Sequence, residues 1–282
     1  SEDKPTASTL DPTRALLSES GLWTSIRMRP FGKVPALDET PGAIFVTAID
    51  THPLAGSVEH GLEGREDDFT HGLGVIAGLT DGKTYLCKAQ GSKIPSADGI
   101  EVAEFAGMHP AGLAGTHIHM LEPASRNHVA WHLGWQDVIA IGHLFKTGQL
   151  DTSRVVAFGG PGAQSPRLLK TRIGACLSEL IAGELVEDQD IRIISGSVFG
   201  GRAVSDPVWD YLGRYDNQVS CLVEDRERVL FGWLAPGFQK FSTIRAFASR
   251  WLGLGKKTFP ITTTTHGSHR AMVPIGMFER VM

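Results

Sequence analysis

The chain has 282 residues and a formal charge of −4, with 41% hydrophobic and 21% charged residues. These are the proportions of an ordinary globular protein. No apolar run approaches the roughly 18 residues of a membrane-spanning helix, and the scattered basic residues argue against a nucleic-acid partner. The length favours two domains over one.

Cys87, Cys176 and Cys221 lie far apart with no C-x-x-C spacing. Neither a disulfide framework nor a zinc or iron–sulfur site is expected, and a reducing compartment fits. With no initiator Met and no signal-peptide pattern, the sequence is read as a fragment of a longer protein.

The polar opening SEDKPTAST reads as a linker. Asp11 then offers an N-cap with Pro12 at the first helical position, predicting a short helix through Leu16 and Leu17 that ends at Gly21. The stretch from Trp23 to Pro35 is expected to be an irregular basic loop. It carries Arg27, Arg29 and Lys33 and reads either as an anion grip or as a solvated loop.

Ala43 to Ile49 is a nearly unbroken apolar run rich in β-branched residues, which predicts a strand buried on both faces of a parallel sheet. Asp50-Thr51-His52-Pro53 follows its carboxyl end, where open α/β sheets bind ligands. A helix is expected from about Asp68 to Leu79, then strands over Tyr85–Ala89 and Val102–Phe105. The glycines at 72, 74 and 78 lack the strand that a dinucleotide fingerprint requires before them, and are read as small residues that let the helix pack closely on the sheet.

Phe105 to Leu121, FAGMHPAGLAGTHIHML, reads as a strand-to-helix site loop bearing His109, His117 and His119. These histidines have three readings: packing or capping groups, ligand contacts, or a metal pair. His117-x-His119 puts both rings on one face only if the backbone is extended, and on a helix they point apart. A metal-dependent hydrolase would further need a (β/α)₈ barrel, for which too little chain follows.

His128–Leu133 alternates like a strand, and Trp135–Phe145 has helical periodicity closed by Lys146 and Gly148. His128, His132 and His143 are read as satisfying backbone groups. The first domain, an α/β unit with βαβ alternation, is expected to span residues 1–150. From Arg154 a strand, strand, helix, strand, strand pattern predicts a β-grasp domain over 151–236. Within it Gly159-Gly160-Pro161-Gly162 reads as a hairpin turn, not a P-loop. Residues 237–282 are expected to be an irregular segment.

Taken together, RPFGKVP (29–35), DTHP (50–53), HPAGLAGTHIHM (109–120), WHLGWQDVIAIGHLFKTG (131–148), GGP…SPR (159–167) and RAMVPIG…ERVM (270–282) resemble the A subunit of the sodium-translocating NADH:quinone oxidoreductase. The likeness runs from about Leu22 almost to the end. It implies a peripheral protein on the cytoplasmic face of the bacterial inner membrane, at the quinone-reducing end of a multi-subunit respiratory sodium pump, with membrane-embedded subunits as partners. It also implies a fold similar to the flavin-carrying subunit of respiratory complex I and the C subunit of the Rnf-type complex, a Rossmann-like three-layer α/β domain followed by a β-grasp domain of the soluble-ligand-binding type.

Those relatives have a glycine-rich flavin loop. Here Ser25-Ile26-Arg27-Met28-Arg29-Pro30-Phe31-Gly32 stands in its place, so no bound flavin, metal or iron–sulfur centre is expected. NADH, flavins and iron–sulfur centres are assigned by the resemblance to other subunits, with ubiquinone as substrate. A quinone ring needs His, Lys or Arg donors beside apolar walls, which makes Arg29, Phe31, Lys33, Asp50, His52, His109, His117 and His119 the candidates for binding quinone or a neighbouring subunit. A purely structural scaffold is the competing reading.

Overall fold

A computed structural model describes residues 11–226, 236–238, 248–252 and 263. Its architecture is mixed α/β, with two five-stranded sheets.

Across the first sheet the strands lie in the order β1 (Arg27–Arg29), β5 (Ala130–Gly134), β2 (Ala43–Ala48), β3 (Lys83–Ala89) and β4 (Ile100–Phe105). The sheet is built around β2, whose apolar run is buried on both faces as its sequence requires. β2 lies parallel to β3 on one side and to β5 on the other, and β4 is parallel to β3. Ile44, Val46 and Ala48 face one layer, formed by α1 (Pro12–Glu19), α2 (Val58–Leu62), α3 (Glu66–Ala77) and α5 (Trp135–Thr147). Ala43 and Phe45 face the opposite layer with Tyr85, Cys87 and Ile118 of α4 (Ala114–Leu121). Burying each large apolar side chain contributes about 1.5–3 kcal/mol, and the two-sided burial of β2 fixes the three-layer sandwich.

Two local expectations are corrected. The basic stretch after Trp23 is not irregular: a 3₁₀ turn (Leu22–Ser25) leads into β1, an edge strand antiparallel to β5. Ile26 and Met28 are each 2% exposed and supply the apolar anchor that the charged neighbours conceal in the sequence. Of the α3 glycines, Gly72 serves the crossing with another helix, not the sheet, and Gly74 meets nothing within 4 Å. A Cβ at Gly72 would stand 2.1 Å from the Val138 carbonyl oxygen of α5, and one at Gly142 would stand 1.8 Å from the Asp68 carbonyl oxygen.

The second sheet begins directly after α5. β6 (Ser153–Gly159) runs antiparallel to β7 (Arg167–Arg172) and parallel to β10 (Gln218–Val223), which pairs with β8 (Ile191–Ser195) and through it β9 (Arg202–Ala203). The short helix α6 (Leu177–Leu180) follows β7 and buries Leu177. Gly159–Gly162 lies at the β6–β7 turn, as expected of a hairpin. The tail lies mostly outside the described residues. Within it, α7 (Ala248–Trp251) is one helical turn, and Thr263 donates its backbone N–H to Val223 O at 3.3 Å.

Polar side chains stitch the two sheets together. Gln136 accepts from Val155 N–H at 2.7 Å and donates to Val155 O and Asn217 Oδ1 at 2.9 Å each, so an α5 side chain pairs with β6 as a strand would. Asp137, 7% exposed, accepts from both Arg154 and Arg214.

Candidate functional site

In the first sheet the chain leaves β2 toward β3 on one side and returns through α4 to β5 on the other. The point where the order reverses, outside the carboxyl ends of β2 and β5, is where such sheets bind ligands. Here the second sheet occupies it. Trp135, Val155, Ala157, Leu168 and Asn217 close on Asp50 and Gly61 and leave only about 20 Å³.

Larger openings flank this plug. A polar cleft of about 360 Å³ lies between Asp50, Ser57, Glu59, Gln90 and Ser92. An apolar groove of about 550 Å³ runs between the Leu54–Gly56 turn and β6–β7.

The turn after β2 carries the chemistry. Asp50 Oδ1 accepts from the His52 backbone N–H at 2.9 Å and lies 2.6 Å from His52 Nδ1, so one carboxylate oxygen fixes both the backbone and the ring. The His52 ring centroid is 4.7 Å from that of His109, whose Nδ1 lies 3.3 Å from Thr51 Oγ1. Phe199, from the β8–β9 connection of the second domain, also packs against His109, with ring centroids 5.2 Å apart. Burial pushes the His109 pKa below its usual value, and the neighbouring His52 pushes it further the same way.

The loop bearing His109 is fixed from below. Gly112 N–H donates to Thr51 Oγ1 at 2.9 Å, and a Cβ at Gly112 would stand 2.7 Å from Thr51 N. Thr116 Oγ1 donates to Pro110 O at 2.9 Å, and His117 Nε2 lies 2.8 Å from Ala111 O. His117 is fully buried against the Phe105 ring at 4.3 Å, and burial lowers its pKa.

The structure therefore brings together Asp50, His52 and His109. His117 supports their loop from inside the protein, while His119 is exposed on the outer side of α4. Because α4 is helical, the two histidines do not share the face that a strand would have given them. The metal-hydrolase arrangement is overturned on that geometry.

Arg29, Phe31 and Lys33 are not part of this cluster. Arg29 pairs with Ala130, which is itself opposite Ala43, the first residue of β2, whereas Asp50 follows its last. With β2 six residues long, the two groups stand about 20 Å apart along the sheet.

Sequence reasoning misses Phe199, because nothing in its Val-Phe-Gly-Gly context signals contact with a distant histidine. His132 reads as bland in the sequence, yet it lies opposite Phe45 on the α4 face, and its pKa is lowered to about 4 by burial and by Arg29 and Arg27. His128 and His143 pair with carboxylates, Glu122 at 2.7 Å and Asp68 at 3.1 Å, where the sequence reading expects backbone partners.

A Rossmann-like sheet joined to a second mixed five-stranded sheet, with a histidine pair where they meet, defines a two-domain α/β architecture. Two solved structures share the fold: the NAD+-reducing [NiFe]-hydrogenase in its air-oxidized state (TM-score 0.53, 15% identity, 80% of this chain and 48% of that one) and in its H2-reduced state (TM-score 0.52, 13% identity, 77% and 47%). Residues 9–150 match the family described as "NqrA second alpha/beta domain", and residues 155–206 match "NQRA C-terminal domain".

The chain belongs to the family of the A subunits of the Na(+)-translocating NADH-quinone reductase. It is 56% identical to the family member from Shewanella frigidimarina over 94% of this chain and 59% of that protein. Identity is 51% to the member from Rhodopirellula baltica, over 94% and 58%. The chain thus spans about three-fifths of the length of these relatives. Among the described residues no helix is long and apolar enough to cross a membrane.

Proposed function

We propose that this chain works as part of a sodium-translocating NADH:quinone oxidoreductase, as a peripheral subunit on the cytoplasmic face of the bacterial inner membrane, and that it receives the quinone headgroup at His52 and His109. The observation that carries this reading is the Asp50–His52–His109 cluster, with Phe199 from the other domain packed against His109. A quinone ring has two carbonyl acceptors and a flat apolar body. Two imidazoles beside a phenyl ring offer donors and a stacking wall of matching chemistry.

Reduction of the ring to a quinol takes two electrons and two protons. The electrons come from NADH through flavins and iron–sulfur centres on other subunits, and an imidazole oriented by a carboxylate has the geometry to pass a proton to a ring oxygen. This chain's own flavin-loop position supports that division: Ile26 and Met28 point into the core, and Arg27 donates to Gly32 O at 3.1 Å, so the segment is a packed edge strand and not an open glycine cradle. An absorption spectrum of the purified protein without a stoichiometric flavin band is the expected result.

The hairpin after β1 favours a second role. Phe31 is 57% exposed between Arg29 and Lys33 at the far end of the sheet, which fits docking of a neighbouring subunit. In quinone-analogue titrations of the intact subunit, Asp50→Asn, His109→Ala and Phe199→Ala are each expected to weaken binding, whereas Lys33→Ala changes complex assembly instead. Unchanged binding and turnover in all three cluster variants would leave the scaffold reading.

A further inference from the structure

We propose that the apolar groove between the Leu54–Gly56 turn and the second sheet holds the polyprenyl tail of the quinone whose ring lies at His52 and His109. The proposal rests on the headgroup reading above and adds a separate site to it. The groove measures about 550 Å³ and is walled by Leu54, Ala157, Phe158, Pro161, Pro166 and Leu168. That volume lies within the range of about 300–1,000 Å³ typical of small-molecule pockets.

Among the described residues its one charged wall residue, Arg167, is already committed. Its two terminal nitrogens donate to the two Glu184 carboxylate oxygens at 2.8 and 2.7 Å. With that charge compensated, the groove selects an apolar occupant.

The backbone of Leu54 supplies an independent observation. Its φ is +67°, in the left-handed region that disfavours every side chain bearing a Cβ, and its side chain is 40% exposed. Glycine makes such a turn at no steric cost. Leu54 is thus held at a cost in backbone strain with about two-fifths of its surface left in water, which an apolar ligand would cover. Gly56 sets how closely the turn approaches the sheet, since a Cβ there would stand 2.5 Å from Leu168 Cδ2.

The same turn joins this groove to the histidines. Ala55 N–H donates to His52 O at 3.1 Å, and Gln218 Nε2 donates to Pro53 O at 2.9 Å, which pins the turn between the two domains. His52 and Leu54 thus sit two residues apart on one fixed turn, the first beside His109 and the second in the wall of the groove. A ligand with a polar ring and a long apolar chain matches that division.

The test titrates the intact subunit with three probes: an unsubstituted quinone, the same ring bearing a long prenyl chain, and a free prenyl alcohol of equal length. Wild type is compared with Leu54→Gly and Leu168→Ser, both surface changes, with melting curves to confirm folding. Wild type is expected to bind the prenylated quinone at least about tenfold more tightly than the bare ring, because each methylene withdrawn from water adds to affinity. Both variants should lose most of that gain and keep their affinity for the bare ring. A gain that survives in both variants would overturn the proposal. If the bare ring does not bind but the prenyl alcohol does, and Leu168→Ser abolishes it, the headgroup reading fails and the groove stands as an apolar-chain site. If no probe binds, both are overturned.

Discussion

Asp137 and Arg214 meet at 2.7 Å across the boundary between the two domains, and the same carboxylate oxygen accepts from Arg154. Arg154 is 4% exposed, so its charge depends on Asp137. Removing one partner of a buried pair leaves an uncompensated charge, which costs about 3–5 kcal/mol. Asp137→Ala is expected to lose stability of that order in chemical denaturation and to loosen the junction that positions Phe199 against His109. A loss below about 1 kcal/mol would mean that water already screens the pair.

The crossing of α3 and α5 depends on having no side chain at two points. Gly142→Ala drives a methyl group to within 1.8 Å of the Asp68 carbonyl oxygen, and the helices must separate to admit it. The expected cost is about 1–3 kcal/mol or more, seen as a lower melting temperature. Gly74 lies on the same α3 helix, and a Cβ added there would meet nothing within 4 Å. Gly74→Ala should therefore stabilise by about 0.4–1 kcal/mol. Equal effects from the two changes would contradict the close crossing.

Stability should fall in acid through His132. Its pKa in the folded protein is lowered to about 4 from an ordinary 6.5, chiefly by burial, with Arg29 and Arg27 acting in the same direction. Between those values the unfolded chain binds the proton that the folded chain refuses. The contribution is therefore complete above pH 6.5, is lost as pH falls toward 4, and levels off below it, amounting to about 3 kcal/mol over the window. Unfolding free energies of wild type and His132→Gln, measured from about pH 7 down to about 4, should converge as the pH falls. Parallel curves would remove His132 as the source.

Replacing Leu54 separates folding from binding. Leu54→Gly relieves the left-handed strain at the cost of extra chain entropy, so stability should stay within about 1 kcal/mol of wild type. Leu54→Val puts a β-branched residue at the same φ and should destabilise by about 1 kcal/mol or more. Thermal melts of the two variants check the order.

The sequence by itself determined many of the elements, though not β1, and the family. The apolar run of β2 can only be a strand covered on both faces, Asp11-Pro12 starts a helix, Gly148 ends one, and the order of short motifs from Arg29 onward carries the resemblance. It also placed Asp50 and His52 correctly past a buried strand, because the carboxyl end of a parallel strand follows from connectivity alone. Tertiary structure decided what meets what. A strand register sent Arg29, Phe31 and Lys33 to the far end of the sheet, a distance that linear order does not encode. Helical geometry turned His117 inward and His119 outward, ending their reading as a pair. Phe199 reached His109, and Leu168 reached Gly56, only because the second sheet docks on the first through Gln136 and Asp137. Contacts between residues so far apart in the chain arise from packing, which local propensity and spacing do not specify.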